Sequence, residues 1–402
     1  MPTPSGGEWN QRLSEAGDQV GRGAHRLREF WDRVTEGLEV QELWSQIRAD
    51  ARASYHLYSK EVDLTEWKGE PRWKRGSRIG RALFWAMLMK LTPGRRVLLL
   101  IALLMLLFPN ASFESGQGRT VIQFESSPFH VLGGLLLFVL LALELADRVT
   151  MKRDLEIARD IQRWLMPEVS PQVPGVDIAF ATRAANTVAG DYYDAFLRRP
   201  TDGAGVEPAP ADHLLMAVAD VAGKSVPAAL LMATFQASLR TLAMSPSSLP
   251  ELARGLNDYA CAHSIGGMRF TTAFLAEFDP ATRALVYVRA GHNIPVLYRR
   301  SGSVERLEAG GLPLGIRPGT VYEAGRVALG SGDLLLMFTD GLVEAENDRG
   351  EDYGEARMLQ ILAKSQSASA AEVLKALMAS VDSFVGLARQ HDDITCMVMR
   401  TL

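Results

Sequence analysis

Apolar positions are distributed unevenly along the chain. Two long apolar runs, residues 97–108 and 129–143, stand apart from everything else, and residues 84–91 ahead of the first are also mostly apolar. Each run is shorter than the roughly 20 residues of a spanning helix, a deficit that tilt and snorkelling basic side chains make up. Arg72, Lys74, Arg75, Arg78, Arg81, Arg95 and Arg96 precede the first run, and Arg148, Lys152 and Arg153 follow the second. Between the runs, Arg119 is the one basic residue. This asymmetry predicts a transmembrane hairpin over residues 81–146 with both ends in the cytoplasm. The competing reading is a pair of buried helices in a soluble sensor. The first run begins too far from Met1 for a cleaved signal peptide.

Residues 1–80 are polar and carry Leu27, Phe30, Trp31, Val34 and Leu38 at helical spacing, which predicts amphipathic helices with no catalytic motif. Residues 143–165 read as one helix, ended by Pro167, Pro171 and Pro174. Its stripe of Val149, Leu155, Ile157, Ala158, Ile161 and Leu165 fits either packing on its own domain or a dimerising signalling helix. Beyond Pro174 the period shortens. Strands are predicted over 176–181, 213–219, 271–278, 284–289, 295–299, 333–338 and 394–399, and helices over 226–244, 249–263, 355–362 and 370–387. Strands and helices do not alternate strictly, which disfavours a doubly wound parallel sheet and favours an antiparallel α+β layer fold. The expected organisation is a helical segment 1–80, a membrane hairpin 81–146, a linker helix 147–170 and a catalytic domain 171–402. Residues 200–211, rich in Pro, Gly and Ala, read as a surface loop.

Composition changes this picture little. A net charge of −4 over 402 residues argues against wholesale nucleic-acid binding. Two cysteines, Cys261 and Cys396, lie far apart without CxxC spacing, so both are expected in core positions rather than in a disulfide.

The chemistry is concentrated in four acidic motifs: Gly190-Asp191-Tyr192-Tyr193-Asp194, Asp220-Val221-Ala222-Gly223-Lys224, Thr339-Asp340-Gly341 and His391-Asp392-Asp393-Ile394-Thr395. Asp220 and Asp340 each follow an apolar β run, where a buried strand reaches the surface. A single Asp-Gly is ordinarily a turn, but four carboxylate motifs in one α+β domain point to a hard-cation site. Oxygen donors suit Mg²⁺ or Mn²⁺; zinc is disfavoured, since no H-x-x-H or paired Cys accompanies His292 and His391. No G-x-S-x-G elbow and no G-x-x-x-x-G-K-[ST] loop competes.

The order of the motifs carries a family resemblance over residues 155–400. Ala158-Arg159-Asp160-Ile161-Gln162 with Leu165-Met166-Pro167, Val188-Ala189-Gly190-Asp191-Tyr192-Tyr193-Asp194, the run from Asp220 to Ala233, Ala290-Gly291-His292-Asn293, Gly310-Gly311-Leu312-Pro313-Leu314-Gly315, Gly332-Asp333, Thr339-Asp340-Gly341 with Glu344, and Asp392-Asp393-Ile394-Thr395 together resemble the SpoIIE/RsbU-type branch of the PPM (type 2C) metal-dependent serine/threonine phosphatases. The resemblance implies an α-β-β-α sandwich of two antiparallel sheets flanked by helices. It also implies two Mn²⁺ or Mg²⁺ ions held by Asp191, Asp220 (bridging), the Val221 carbonyl, Asp340 and Asp392, with Asp393 as a neighbouring support. A metal-activated water would attack phosphoserine or phosphothreonine on a regulatory protein of the STAS type, in bacterial signalling. Control would run through the linker helix, with a possible homodimer there. Ala189 and Ser225 depart from the family pattern without removing a ligand. No Arg matches the phosphate-gripping residue of eukaryotic relatives, Arg183 being a candidate by sequence proximity alone. For His292 a structural turn role is expected, and for Lys224 a structural role stands beside phosphate neutralisation. The alternative from a different class is a membrane-linked pseudophosphatase that binds a partner without turnover.

Overall fold

The computed structural model describes residues 81, 84–85, 88–107, 128–200, 212–223, 226–263 and 270–402. The expectations for residues 1–80, for the loop containing Arg119, for most of the Pro-rich loop and for Lys224 and Ser225 lie outside the described residues. The chain divides into two compact units, Met1–Leu145 and Ala146–Leu402.

In the first unit, helix α1 (Pro93–Leu107) runs antiparallel to the start of α2 (Pro128–Leu165). A side chain built on Gly133 would reach 3.0 Å from the Ala102 carbonyl, so the missing Cβ allows the two backbones to approach closely. Arg95 on α1 pairs with Glu144 on α2 at 3.1 Å. Helix α2 is 38 residues long, with an 18-residue window of mean hydropathy 2.2, and it is the one helix among the described residues long and apolar enough to cross a membrane. The second apolar run and the linker prove to be this single uninterrupted helix: Gly133 and Gly134 do not break it, and the first prolines after it fall beyond Leu165.

The second unit is the four-layer sandwich that the motif resemblance implies. Its strands are β1 (Val176–Arg183), β2 (Tyr192–Arg198), β3 (His213–Val221), β4 (Thr271–Asp279), β5 (Ala284–Ala290), β6 (Val296–Tyr298), β7 (Val304–Arg306), β8 (Gly310–Gly311), β9 (Gly325–Ala328), β10 (Leu334–Phe338) and β11 (Ile394–Thr401). One sheet has the order β1-β11-β10-β6-β7; the other has β2-β3-β4-β5-β8, with β9 paired to β5. Helices α3 (Val226–Leu242) and α4 (Leu249–His263) cover the second sheet, and α5 (Gly354–Lys364) and α6 (Ala370–Val385) cover the first.

The layering follows from the two-residue period of strands buried on both faces. On β3, Leu214, Met216 and Val218 face the other sheet, while Leu215, Ala217, Ala219 and Val221 face α3 and α4. On β11, Met397 and Met399 face the shared core, and Ile394, Cys396 and Val398 face α5 and α6. Cys396 is therefore a core residue as expected, whereas Cys261 on α4 is only half-buried, with Asn257 as its polar neighbour at 3.7 Å. Helix α6 begins with a full capping box: Ser369 accepts from the Glu372 amide, and Glu372 accepts from the Ser369 amide.

Candidate metal-dependent active site

The acidic motifs meet where the two sheets end side by side. Asp191 immediately precedes β2, and Asp220 is the second-last residue of β3, opposite Thr272 of β4. Both belong to the second sheet. Asp340 opens a short 3-10 helix directly after β10, while Asp392 and Asp393 lead into β11, so these three come from the first sheet.

Asp191 is the buried centre of this seam, at 2% exposure. Its carboxylate accepts a hydrogen bond from the Thr339 hydroxyl at 2.8 Å, which ties one sheet to the other. Thr339 and Thr395 in turn lock β10 to β11: the Thr339 amide donates to the Thr395 carbonyl at 3.0 Å, and the Thr395 amide donates to the Thr339 hydroxyl at 3.0 Å. Burial first, and then the negative charge of Asp220, push the Asp191 pKa well above the ordinary carboxylate value; the Thr395 and Thr339 hydroxyls oppose that rise.

Gly190 lies against the Asp220 loop. A Cβ there would stand 3.1 Å from the Val221 carbonyl oxygen and 3.6 Å from an Asp220 carboxylate oxygen, so a side chain at this position would crowd the carbonyl. Asp393 has a different task. One of its carboxylate oxygens accepts from the Ala185 amide and the other from the Gly190 amide, each at 2.7 Å. It fixes the loop that carries Asp191. Asp392 accepts from the Asp393 amide at 2.9 Å and lines an open cleft of about 560 Å³ with Arg183, Gly341, Glu344, Asp382 and His391. Burial, followed by Asp340, Asp352 and Asp392, raises the pKa of Glu344, which marks this rim as strongly negative. Gly341 packs so tightly on the Asp393 carbonyl that a Cβ would fall 2.0 Å from the oxygen. Any larger residue there would push Asp340 away from the Asp392-Asp393 turn.

The other candidates separate clearly. Asp194, the last residue of its motif, points away from the site: it is fully buried under α3, where Arg240 grips both of its oxygens at 2.6 and 2.7 Å. His292 is buried and bonded through Nδ1 to the Thr272 hydroxyl at 2.9 Å, and burial holds its pKa down to about 4, so the ring is neutral. Arg183 sits at the cleft but is ion-paired with Asp382. Thr339, Thr395 and Gln162 were not singled out as site residues by sequence reasoning. All three lie inside the quoted motifs, Thr339 and Thr395 in motifs read only for their aspartates and Gln162 in the stretch that leads into the domain. Gln162 bonds in both directions to the main chain of Ala189, two residues before Asp191.

Comparison with known proteins finds relatives of this part of the chain. Residues 210–402 match the family model described as Stage II sporulation protein E (SpoIIE). The chain is 28% identical over 254 residues to the phosphoserine phosphatase RsbU of Bacillus subtilis, covering 62% of this chain and 70% of RsbU. It is 26% identical over 288 residues to the protein IcfG of Synechocystis sp., covering 65% of this chain but only 43% of IcfG. Among solved structures, the SiaA-PP2C domain of Pseudomonas aeruginosa aligns at a TM-score of 0.55 and 22% identity, over 64% of this chain and 99% of that domain, and so shares the fold.

Proposed function

We propose that the second unit carries a PP2C phosphatase domain of the SpoIIE type and that this chain is a metal-dependent protein serine/threonine phosphatase. The observation that carries the reading is the convergence of carboxylates from both sheets on one seam, with Asp191 buried at its centre.

The residues present fit a hard divalent cation. All the donors are oxygen, Gly190 leaves the Val221 carbonyl uncrowded, and the Asp220 charge raises the Asp191 pKa, a repulsion that a cation would relieve. Among the described residues no three Asp, Glu, His or Cys side chains alone converge to enclose an ion. The Val221 carbonyl and solvent would share the shell, as Mg²⁺ and Mn²⁺ commonly require. We assign Asp191, Asp220, Val221, Asp340 and Asp392 as ligands of two such ions and Asp393 as their support. When bound, the ions supply Lewis acidity toward a phosphoryl oxygen and lower the pKa of a coordinated water. The chain's own part is to hold that arrangement: Thr339 aims Asp191, Asp393 fixes the loop, and the open cleft beside Asp392 admits the phosphorylated segment.

The substrate we propose is phosphoserine or phosphothreonine on a regulatory protein of the STAS type, supported by the similarity to RsbU. With Mn²⁺, the purified chain should dephosphorylate such a protein, and both chelation and Asp340→Asn should abolish turnover. Activity that survives both sinks the mechanism.

The α1–α2 hairpin is proposed to lie in the bacterial inner membrane, with the phosphatase domain in the cytoplasm. Leu104, Leu107, Val131, Phe138 and Leu141 all lie exposed on it. On cell fractionation the chain should remain with membranes until detergent is added; recovery in the soluble fraction refutes the placement. Ile157, Ile161 and Trp164, exposed on the later part of α2, are the surface we propose for a homodimer.

A further inference from the structure

The chain crosses from the second sheet to the first between β5 and β6, and His292 stands in that crossing. Gly291 before it takes φ +65°, and Pro313 occupies the space a side chain there would need: a Cβ would fall 2.3 Å from the Pro313 Cγ. The Arg289 guanidinium donates to the His292 carbonyl at 3.1 Å. The residue so placed is 2% exposed. Its Nδ1 shares a hydrogen bond of 2.9 Å with the Thr272 hydroxyl. Thr272 lies directly opposite Asp220 in the β3–β4 register, so the two side chains leave the same face of the sheet with Cβ atoms about 5 Å apart. The ring also meets the main chain of Phe338, the last residue of β10, which Thr339 and Asp340 follow. One imidazole therefore reaches the second sheet beside Asp220 and the first sheet just ahead of Asp340.

Packing alone does not account for a histidine here. Nε2 is enclosed and, among the described residues, makes no hydrogen bond of good geometry. An apolar ring of similar size would fill the place without leaving a buried polar atom short of a partner. We infer that His292 is a positioning residue for Asp220: through the Thr272 hydroxyl it fixes the Asp220 end of β3 and β4 against the Phe338–Asp340 end of β10, and the cation affinity of the seam depends on that fixing. It works beside the bond from Thr339 to Asp191, which ties the same two sheets. The inference rests on the reading of the seam as a cation site, and not on turnover of a phosphoprotein.

The test uses the full chain in detergent, with Mn²⁺ as the probe in equilibrium dialysis. His292→Phe keeps a ring and loses both nitrogens. Thr272→Val keeps the branched shape and loses the hydroxyl, whereas Thr272→Ser keeps the hydroxyl. His292→Phe and Thr272→Val should each bind Mn²⁺ about tenfold more weakly than the unmodified chain, the lower end for residues that support a metal ligand. Thr272→Ser should bind like the unmodified chain. The double variant of His292→Phe with Thr272→Val should bind no more weakly than His292→Phe, because both changes remove the same hydrogen bond. A ring that served packing alone would lower the melting temperature and leave Mn²⁺ affinity unchanged; that result in a folded His292→Phe variant overturns the inference. Losses that add in the double variant overturn it too. Should His292→Phe not fold, the two Thr272 variants decide alone: equal affinities overturn the proposal. An unmodified chain that binds no Mn²⁺ overturns it together with the cation site. One that binds Mn²⁺ but hydrolyses no phosphoprotein refutes the phosphatase reading and leaves dialysis to judge His292.

Discussion

Asp191→Asn is expected to abolish turnover while making the metal-free protein more stable. The loss of activity should exceed the 10–100-fold typical of disturbing a ligand's outer partners, because the charge itself is removed. The gain in stability follows from the electrostatics of the seam. Burial and the Asp220 charge raise the folded-state pKa of Asp191 well above 3.8, so the folded chain holds a proton there that the unfolded chain releases. The sign is then fixed: stability is greatest at low pH, falls as pH rises from the unfolded value through the raised folded one, and is fully lowered once the buried carboxylate ionises. Asparagine carries no charge and still accepts from the Thr339 hydroxyl. Each kcal/mol recovered should raise the melting temperature by about 2–4 °C in a domain of this size. Calorimetry in chelator at pH 7.5 should show the variant melting higher, with the gap narrowing as the pH is lowered. A variant that melts lower at pH 7.5 would mean that the Asp191 charge stabilises the fold, contrary to this account.

The second large effect concerns the pair that fastens α3 to the sheet. Asp194 is fully buried on β2, and Arg240 in the last turn of α3 holds both its oxygens. The Tyr192 hydroxyl and the Ala195 amide donate to the same carboxylate at 2.5 and 2.8 Å, and the Arg240 guanidinium also lies 3.9 Å above the Phe196 ring. Removing Arg240 strands a buried charge, so Arg240→Ala should cost about 3 kcal/mol, the lower end for broken buried pairs because the Arg240 side chain is 41% exposed. Asp194→Asn should cost less, since the amide oxygen still accepts from Arg240 or Tyr192. Urea denaturation measures both. If Arg240→Ala costs under 1 kcal/mol, α3 is held by its apolar face alone. Asp194 lies in the same strand as the metal loop and α3 follows the Asp220 loop, so loss of this pair should also weaken cation binding.

Much of the sandwich was legible because its central strands are buried on both faces. The segments that became β3, β4, β10 and β11 read as nearly continuous apolar runs, and fully buried strands produce that signal. Strand β2 was not recognised. Its Asp194 and Arg198 look like surface residues in sequence, yet Asp194 is held by Arg240, and Arg198 is buried against Glu277 at 2.8 Å. Long-range ion pairs erase the local pattern. Strands β7, β8 and β9 escaped for a different reason: they are two to four residues long and lie at sheet edges with little buried surface. At the site, aspartates stand out because carboxylates at strand ends are chemically conspicuous. Thr339 and Gln162 do not, since a hydroxyl or amide acquires its role only from the partner that folding places opposite.

Because the proposed ligands are divided between two sheets, the site is held together by the layer between those sheets as much as by its own loops. That layer includes Met216, Met337, Met397 and Met399, flexible side chains that keep the sheets at one spacing. Sulfur oxidation there would replace an apolar thioether with a larger polar group and prise the sheets apart. Oxidative damage deep in the interior, remote from any proposed ligand, would then abolish the proposed activity by widening the gap that Thr339 has to bridge to Asp191.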